Sequence, residues 1–411
     1  MMSTILEPST WSPVATLAVR NVCEALPTGV DYLLRHGARE ESRAGPVLVA
    51  PGPVVTVTRR PTERVLFSAV RDANPFFHLA EAIWMLAGRD DATFLNRYVT
   101  DFGERFAESA SGKENTEAGG RIHGAYGARW RGAFGFDQLN AVVDILRKDP
   151  SSRQCVLAMW DATKNSGSVD RWGSRGGQND LRGKWRDRPC NTHAYLRIRK
   201  GNIQYGVPAG DHVTRDVITQ ERWLDLTVCC RSNDAVWGAH GANAVHFSVL
   251  QEYLAARIGV GVGVMYQVSN NYHVYEAELA RLTDRTSKAE NLKDAFEAEI
   301  AAHSVERDKV LPTLLRDNRY ENGWVRPQPM FVAPEDIDQD VQTLCRRVEQ
   351  NETEGSHGYN NPWFWETAER AFGAHHAFKQ KDFTGAKYLA GKIDDLAWAT
   401  ACWEWIERRR K

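Results

Sequence analysis

The alternation of hydrophobic and polar positions predicts a chain that combines a few long helices with several strands. Residues 75–88 (PFFHLAEAIWMLAG) begin at a proline, end at a glycine and are apolar on almost every side, which predicts a buried helix. A second long helix is expected at about 243–258 (NAVHFSVLQEYLAARI). The Val-rich residues 47–58 predict a strand that a Pro-Gly-Pro turn interrupts.

Further strands are predicted in the middle of the chain, with polar loops between them. The predicted strands lie at 154–161, 193–207, 224–232 and 262–276, and the polar stretches lie at 108–120, 162–188 and 208–222. This mixture of helices and strands indicates an α+β fold. Charged helical segments and proline-containing runs follow residue 285. We therefore predict a catalytic domain at 1–285 and a mostly helical C-terminal extension at 286–411.

Composition and charge exclude several classes of protein. The net charge of -1 provides no global basic field, so we expect no nucleic-acid partner, and an anionic ligand must be held by a local group of arginines. No apolar run reaches about 18 residues and the start lacks a signal-peptide pattern, so no membrane span is expected. The seven cysteines form no Cys-x-x-Cys pair, which predicts neither a zinc site nor a disulfide scaffold. A reducing cytoplasm is the expected location, because it keeps a thiol available for chemistry.

Two residues are candidates for chemistry because of where they lie. Glu81 sits among apolar side chains in the predicted helix 75–88, where a carboxylate is costly unless it is hydrogen-bonded, and this favours a functional acid or base. Cys190 lies at the entry to a strand in RDRPCNTHAYLRI, where Arg186 and Arg188 could hold it partly as the reactive thiolate. A buried structural cysteine explains the local sequence around Cys190 equally well.

Two further segments carry polar side chains on predicted strands. RSNDAVWG places Arg231, Ser232 and Asp234 together at a strand end, where Arg231 and Ser232 could bind an anion such as phosphate, although a surface turn accounts for the segment equally well. His273 and Tyr275 in NNYHVYE point to one face of a strand, and such a pair is more often a core contact than a ligand site. The order and spacing of all these segments together indicate the chemistry that no single one establishes.

Taken together, the segments resemble the thymidylate synthase superfamily, which includes the deoxyuridylate and deoxycytidylate hydroxymethylases. The resemblance runs from Ser42 to Glu276 through SRAGPVL, HLAEAIWMLAG, HGAYGARWR, DPSSRQCVLAMWD, RPCNTHAYL, RSNDAVWG, GANAVHF and YHVY, in family order. It implies a mixed sheet with a long buried helix, a homodimer, and 5,10-methylenetetrahydrofolate as the one-carbon donor. Hydroxymethylases of this superfamily are typical of viruses that modify their DNA, and for a viral source the location would be the host cytoplasm.

The resemblance also implies a role for each residue at a motif position. Cys190 would attack C6 of the pyrimidine, and Arg231 would lower the pKa of that thiol while contacting phosphate. Glu81 would relay protons through water, and Tyr126 would assist removal of the C5 proton. The remaining implied contacts are Asn243 with the pyrimidine edge, His273 and Tyr275 with the sugar 3′-hydroxyl, Arg43, Ser232 and Arg153 of the partner subunit with the phosphate, Asp234 with the folate pterin ring, and Trp84 and Phe102 with the folate.

Departures from the synthase pattern bear on the product. Asn191 follows the nucleophile where synthases usually have histidine, Gln154 occupies the second cross-dimer arginine position, and Phe102 and Phe106 stand in a segment that is tryptophan-rich in synthases. The short apolar tail that closes the synthase site is also missing. A synthase must exclude water, whereas a hydroxymethylase admits water to the transferred carbon. The sequence therefore favours a 5-hydroxymethylase. Thymidylate synthase stays as the alternative, because the C-terminal extension could replace the missing lid.

The choice of base depends on Asn243. Its amide can donate and accept hydrogen bonds, which suits the O4 and N3–H edge of uracil, whereas the cytosine edge pairs better with a carboxyl group. Uracil is therefore favoured, with cytosine as the alternative. Because GAHGAN is one residue longer than the usual synthase spacing, the register of Asn243 is inferred.

Three other classes of function fit the sequence less well. A cysteine hydrolase needs a histidine beside its nucleophile, and His193 is expected to point to the opposite face of the strand from Cys190. Only the charged C-terminal helices support a non-enzymatic interaction protein. A methyltransferase that uses S-adenosylmethionine would require an early Gly-rich loop between a strand and a helix, which this sequence lacks.

Overall fold

The structure is a computed structural model that describes residues 14–107, 120–162, 180–181, 187–201, 221–288, 307–352 and 358–410. Almost all of the three predicted polar loops at 108–120, 162–188 and 208–222 lies outside the described residues. Among the described residues, no helix is long and apolar enough to cross a membrane.

A six-stranded mixed sheet forms the centre of the fold. Its spatial order is β1 (Ala15–Val19), β4 (Val54–Thr58), β9 (Gly261–Ser269), β7 (Arg222–Cys230), β6 (Asn191–Lys200) and β5 (Val156–Ala158). The pairs β1–β4 and β7–β9 are parallel, and the other neighbouring pairs are antiparallel. The α+β fold with a mixed sheet is therefore confirmed.

A second, four-stranded sheet has the order β2 (Ala38–Ser42), β3 (Gly45–Val49), β10 (Tyr272–Tyr275) and β8 (Asn233–Asp234). The predicted break in residues 47–58 is confirmed, and it separates β3 from β4. The prediction of one strand over 262–276 is wrong, because the chain turns at Asn270 and Asn271 and moves from the large sheet to the small one. This crossover places His273 beside Asp234 in the small sheet.

Thirteen helices are found among the described residues: α1 (Val22–His36), α2 (Pro75–Leu86), α3 (Ala92–Asn96), α4 (Phe102–Phe106), α5 (Tyr126–Ala128), α6 (Gln138–Lys148), α7 (Asn243–Ile258), α8 (Glu276–Lys288), α9 (Arg307–Leu315), α10 (Ile337–Glu349), α11 (Arg370–Lys379), α12 (Phe383–Ala390) and α13 (Leu396–Glu407). π-Helical segments at Arg129–Ala133, Ala235–Ala242 and Phe364–Glu369 lead out of α5, into α7 and into α11.

The two predicted long helices, α2 and α7, are confirmed; α7 packs on the large sheet, and α2 packs on α7. The Asn74 side chain caps α2 by accepting a hydrogen bond from Phe77 N at 3.1 Å, and Pro75 fits the first turn because it needs no N–H partner there. Helix α7 ends at Gly259, whose φ of 84° favours glycine. Because α7 packs between α2 and strands β7 and β9, its apolar side chains are buried on almost every side.

The C-terminal extension shares its core with the rest of the chain. Met330 N donates a hydrogen bond at 2.9 Å to Glu252 of α7, whose carboxylate also pairs with the buried Arg64. Trp405 of α13 packs edge-on against Phe76 of α2, with ring centroids 5.3 Å apart. Helices α10, α11 and α13 all contact α2. The extension therefore supports the helix that carries Glu81.

Candidate active site

Cys190 lies at the start of β6, next to the end of β7. Arg231 N donates a hydrogen bond to Cys190 O at 2.8 Å, and this links the two strand ends. The Arg231 guanidinium donates to Pro189 O at 3.0 Å and to Arg188 O at 3.3 Å, and its Nη2 lies 3.8 Å from Cys190 Sγ. Backbone carbonyls thus hold a permanent positive charge against the thiol.

The electrostatic balance at Cys190 differs from the sequence-based expectation of a thiolate. Burial raises the pKa of the thiol, Arg231 lowers it, and the nearby Asp187 raises it again. Since burial is the largest of these effects, the pKa of Cys190 lies above its ordinary value. The expected contribution of Arg231 is present, but it is outweighed. Arg186 lies outside the described residues.

A cavity of about 160 Å³ opens between α2, α4, α5 and α7. Its walls bring together five residues that the sequence predicts for the site: Glu81, Trp84, Phe102, Tyr126 and Asn243. The other described lining residues are Met85, Phe106, Ile122, Gly124, Ala125, Asp187, Ala242 and His246. Every lining residue in the described part of the chain precedes residue 247, so the described residues of the C-terminal extension support α2 without forming part of this wall.

Glu81 has a partner that sequence reasoning missed. Its Oε2 lies 2.8 Å from Nε2 of His246, which is buried, and the Glu81 side chain is 12% exposed, toward the cavity. His246 follows Asn243 by three residues, so both side chains lie on one face of α7. A histidine one turn after a predicted substrate-binding residue, in the largely apolar first half of a buried helix, was the available signal.

Asparagine side chains form a continuous hydrogen-bonded chain beside the nucleophile. Asn191 Nδ2 donates to Tyr126 Oη at 2.9 Å and to Asn243 Oδ1 at 3.1 Å. Asn243 Nδ2 donates to Asn233 Oδ1 at 3.1 Å, and Asn233 Nδ2 donates to Ser269 Oγ at 2.9 Å. Burial and the nearby Cys190 raise the pKa of Tyr126 well above its ordinary value, so its hydroxyl keeps its proton.

The π-helical segment Ala235–Ala242 explains how Asn243 reaches this position. A π-helical turn accommodates one residue more than an α-helical turn, and here the segment breaks at Gly241, with φ -110° and ψ -106°. A Cβ on residue 241 would lie 2.8 Å from Val236 O, so the tight bend requires glycine. The additional residue noted in GAHGAN lies within this segment, and α7 starts at Asn243 beside Asn191.

The residues predicted to hold the sugar and phosphate lie at the end of the small sheet. The His273 and Tyr275 rings meet edge to face with centroids 5.4 Å apart. Burial, Asp234 and Cys190 raise the pKa of Tyr275. Arg43, on the exposed turn between β2 and β3, lowers it, so the Arg43 charge acts on the Tyr275 hydroxyl. Ser232 is half-buried, directly after Arg231.

Asp234 and Arg153 lie away from the cavity wall. Asp234 Oδ1 accepts hydrogen bonds from Val236 N at 2.9 Å and Trp237 N at 2.5 Å, whereas its Oδ2 is buried and has no hydrogen-bond partner among the described residues. Burial raises the pKa of this carboxyl group. Arg153 is exposed just before β5, at the edge of the large sheet. The described residues contain no cluster of three or more His, Cys, Asp or Glu that could hold a metal ion.

Comparison with known proteins defines the class to which this fold and site correspond. The sequence model of the thymidylate synthase family matches residues 30–310, and the chain belongs to this family. It is therefore a one-carbon transferase. A deoxyuridylate hydroxymethyltransferase of Pseudomonas phage M6 is 35% identical over 399 residues, which cover 96% of this chain and 94% of the relative.

Two further comparisons are more partial. A deoxyuridylate hydroxymethyltransferase of Bacillus phage SP01 is 31% identical over 247 residues, which cover 57% of this chain and 53% of the relative. The crystal structure of thymidylate synthase from T4 phage covers 64% of this chain and 77% of its own, at 18% identity and a TM-score of 0.41, which is too low to support an argument.

Proposed function

We propose that the protein is a pyrimidine nucleotide 5-hydroxymethyltransferase that acts on dUMP. In this reaction the methylene of 5,10-methylenetetrahydrofolate is transferred to C5 and captured by water. The observation that carries the proposed product is the nearly end-to-end match to the Pseudomonas phage M6 protein, which bears the name deoxyuridylate hydroxymethyltransferase. The geometry around Cys190 supports the chemistry.

The first chemical step is attack by the Cys190 thiolate on C6 of the pyrimidine. C5 is a poor nucleophile, and the new S–C6 bond makes it enamine-like, so that C5 can bond to the donated carbon. Arg231 stabilises the thiolate because its guanidinium lies 3.8 Å from Sγ. Tyr126 lies beside Asn191, which is the residue after Cys190 in the chain, and its hydroxyl assists loss of the C5 proton. The Glu81–His246 pair moves protons at the base through water.

The choice of uracil rests on the name of the Pseudomonas phage M6 relative, and the orientation of the Asn243 amide gives a physical means of discriminating between the bases. Its oxygen faces the Asn191 amide nitrogen and its nitrogen faces the Asn233 oxygen, so a flip of the Asn243 amide alone would oppose like groups on both sides. Uracil offers a donor at N3 and an acceptor at O4, whereas cytosine reverses both. An amide held in one orientation can therefore pair fully with only one of the two bases.

The sugar and phosphate contacts complete the nucleotide site. We assign His273 and Tyr275 to the 3′-hydroxyl, and Arg43, Ser232 and Arg231 to the phosphate. Arg153 of the partner subunit would add a further positive charge in a homodimer. The large sheet supports this arrangement, because outward-facing side chains next to Arg153 are exposed, with Val156 at 38% and Tyr195 at 46%. Two such sheet faces packed together would bury these side chains.

The residues around the cavity fit a folate. Trp84 and Phe102 provide aromatic wall. Asp234 lies outside this wall, and its buried Oδ2, which has no hydrogen-bond partner among the described residues, could accept a hydrogen bond from the amino group of a pterin ring that reaches it. When bound, the folate supplies the one-carbon unit at the oxidation level of formaldehyde. Because the named relatives come from phages, we place the reaction in the cytoplasm of an infected host.

The mass of the product nucleotide tests the proposed function. The protein is incubated with methylenetetrahydrofolate and either dUMP or dCMP, and the nucleotide is analysed by mass spectrometry. We expect a gain of a hydroxymethyl group on dUMP, with tetrahydrofolate left unoxidised. Accumulation of dTMP and dihydrofolate would instead establish a thymidylate synthase. Cys190→Ser should abolish the product, whereas the matched variant Cys229→Ser, at a half-buried thiol on β7, should retain it.

A further inference from the structure

Asp187 is a carboxylate in the candidate site to which neither the family resemblance nor the comparisons assign a role. It lies three residues before Cys190 and lines the same cavity as Glu81, Tyr126 and Asn243. Its charge acts on Cys190 and on Tyr126, since it raises the pKa of both groups. The charge of Glu81 in turn raises the pKa of Asp187. The carboxylate therefore lies within electrostatic reach of the nucleophile, the tyrosine and the glutamate.

Neighbouring residues hold the Asp187 carboxylate in position. The backbone of Gly124 hydrogen-bonds to it, and a Cβ on residue 124 would lie 2.3 Å from Asp187 Oδ2, so only glycine permits this approach. His123 and Arg129 stand close enough to lower the pKa of Asp187, and both are held by Asp180, at 2.6 Å from His123 Nε2 and 2.6 Å from Arg129 Nη1.

We infer that Asp187 is the base that activates the water molecule captured by the transferred carbon, an inference that rests on the proposed hydroxymethyl product. Water is a weak nucleophile, and a carboxylate that accepts its proton in the transition state strengthens it. Burial raises the pKa of Asp187, which makes the carboxylate a stronger base, while His123 and Arg129 favour its charged form. Glu81 is already engaged with His246, on another wall of the cavity.

The proposed step is the addition of water to the exocyclic methylene of the nucleotide. Before it, the nucleotide carries Cys190 Sγ on C6 and an exocyclic methylene doubly bonded to C5, conjugated with the carbonyl at C4. The water oxygen bonds to the methylene carbon while one water proton moves to Asp187, and the electron pair of the C5–methylene double bond moves onto C5 and O4 as an enolate. The enolate then forms the C5–C6 double bond, the S–C6 bond breaks, and the Cys190 thiolate leaves with the electron pair. No oxidant or reductant takes part.

Asp187→Asn tests the assignment, because the amide oxygen can still accept the hydrogen bond from Gly124 but cannot take a proton. In a single turnover with dUMP labelled with tritium at C5, we expect a burst of tritium release at nearly the wild-type rate. Formation of hydroxymethylated nucleotide should slow by about 100-fold. Covalent enzyme–nucleotide complex should accumulate and be visible by mass spectrometry of the intact protein. Asp187→Glu, which keeps a carboxylate, should recover part of the rate, and Asp144→Asn, at an exposed carboxylate on α6, serves as the matched control.

Two further measurements test the role of Asp187 and its position beside the thiol. A thiol such as 2-mercaptoethanol is a stronger nucleophile than water, so it should trap the methylene intermediate on Asp187→Asn as a thioether at a rate close to that of the wild type. Alkylation of Cys190 by iodoacetamide should become faster in this variant, because the charge that raises the thiol pKa is gone. A residue that only holds the fold does not predict the trapping result, whereas the alkylation result tests whether the carboxylate lies beside the thiol.

Several results would overturn the inference. Wild-type product formation by Asp187→Asn would exclude Asp187 as the base, and so would an equal loss of tritium release and product. Unchanged or slower alkylation would contradict the placement of the carboxylate beside the thiol. Failure of the proposed function is recognised separately, since it would give dTMP with the wild-type enzyme.

Discussion

Asn243→Asp tests how the site distinguishes uracil from cytosine. In the wild type the Asn243 amide accepts from Asn191 and donates to Asn233, both at 3.1 Å. An aspartate keeps the first hydrogen bond and loses the second, because two acceptor oxygens would then face each other. Rotation of the Asn233 amide removes this conflict, since the Ser269 hydroxyl can donate as well as accept. The substitution should therefore have little effect on folding.

The effect on the substrate is larger. The new carboxylate still accepts from N3–H of uracil, but it opposes O4, so one hydrogen bond is replaced by a contact between two acceptors. An unsatisfied buried polar group costs about 2–3 kcal/mol, which corresponds to roughly a 30- to 150-fold fall in kcat/KM for dUMP. The cytosine amino group, by contrast, gains an acceptor. We expect the preference between the two bases to shift towards dCMP by more than the fall for dUMP alone.

Competition between the two nucleotides measures this shift directly. Equal concentrations of dUMP and dCMP are supplied with methylenetetrahydrofolate, and the two products are quantified by mass spectrometry. Asn360→Asp makes the same chemical change at an exposed position of the extension and should leave the ratio unaltered. Unchanged base discrimination in Asn243→Asp, with an unaltered melting temperature, would refute the assignment of Asn243 to the base.

Three more predictions concern the nucleophile, the glutamate and the extension. Arg231→Gln removes the charge that lowers the pKa of Cys190, so the pH midpoint for alkylation of Cys190 by iodoacetamide should move upward; an unmoved midpoint would argue against this contact. His246→Gln leaves Glu81 without the imidazole with which it can exchange a proton, so kcat should fall by about tenfold or more, with a smaller change in KM for dUMP. A change confined to KM would indicate a role in binding instead. Glu252→Gln breaks the buried ion pair with Arg64 and should lower the free energy of unfolding, measured by urea titration, by about 3 kcal/mol. A loss below about 1 kcal/mol would contradict the claim that this ion pair is shielded from water.

Local patterns were sufficient to predict the main helices but not the division of the strands. The buried helix at 75–88 and the helix at 243–258 agree with α2 and α7 because a run of apolar residues between a proline or capping residue and a glycine specifies a helix locally. The single strand predicted at 262–276 is in fact two strands, because the chain passes from the large sheet to the small sheet at Asn270 and Asn271. Which sheet a strand joins depends on partners far away in sequence, such as β3 and β8 for β10.

The candidate site shows the same limit. Motif positions predicted Glu81, Tyr126 and Asn243, and the fold brings all three to one cavity. His246 and Asp187 were missed, because their significance appears only when α2, α7 and the segment before β6 meet in space. The pKa of Cys190 was also misjudged from neighbouring arginines, since the burial that raises it is a property of the folded chain.

The shared core between α2 and the C-terminal extension limits how this gene can evolve. Phe76 packs against Trp405 and against His375, so the helix that carries Glu81 and two helices of the extension have matched surfaces. A recombination that exchanged only the C-terminal segment with that of a distant relative would leave α2 with a mismatched partner. The extension and the helix that carries Glu81 are therefore expected to be inherited as one unit, although more than 290 residues separate His375 from Phe76 along the chain.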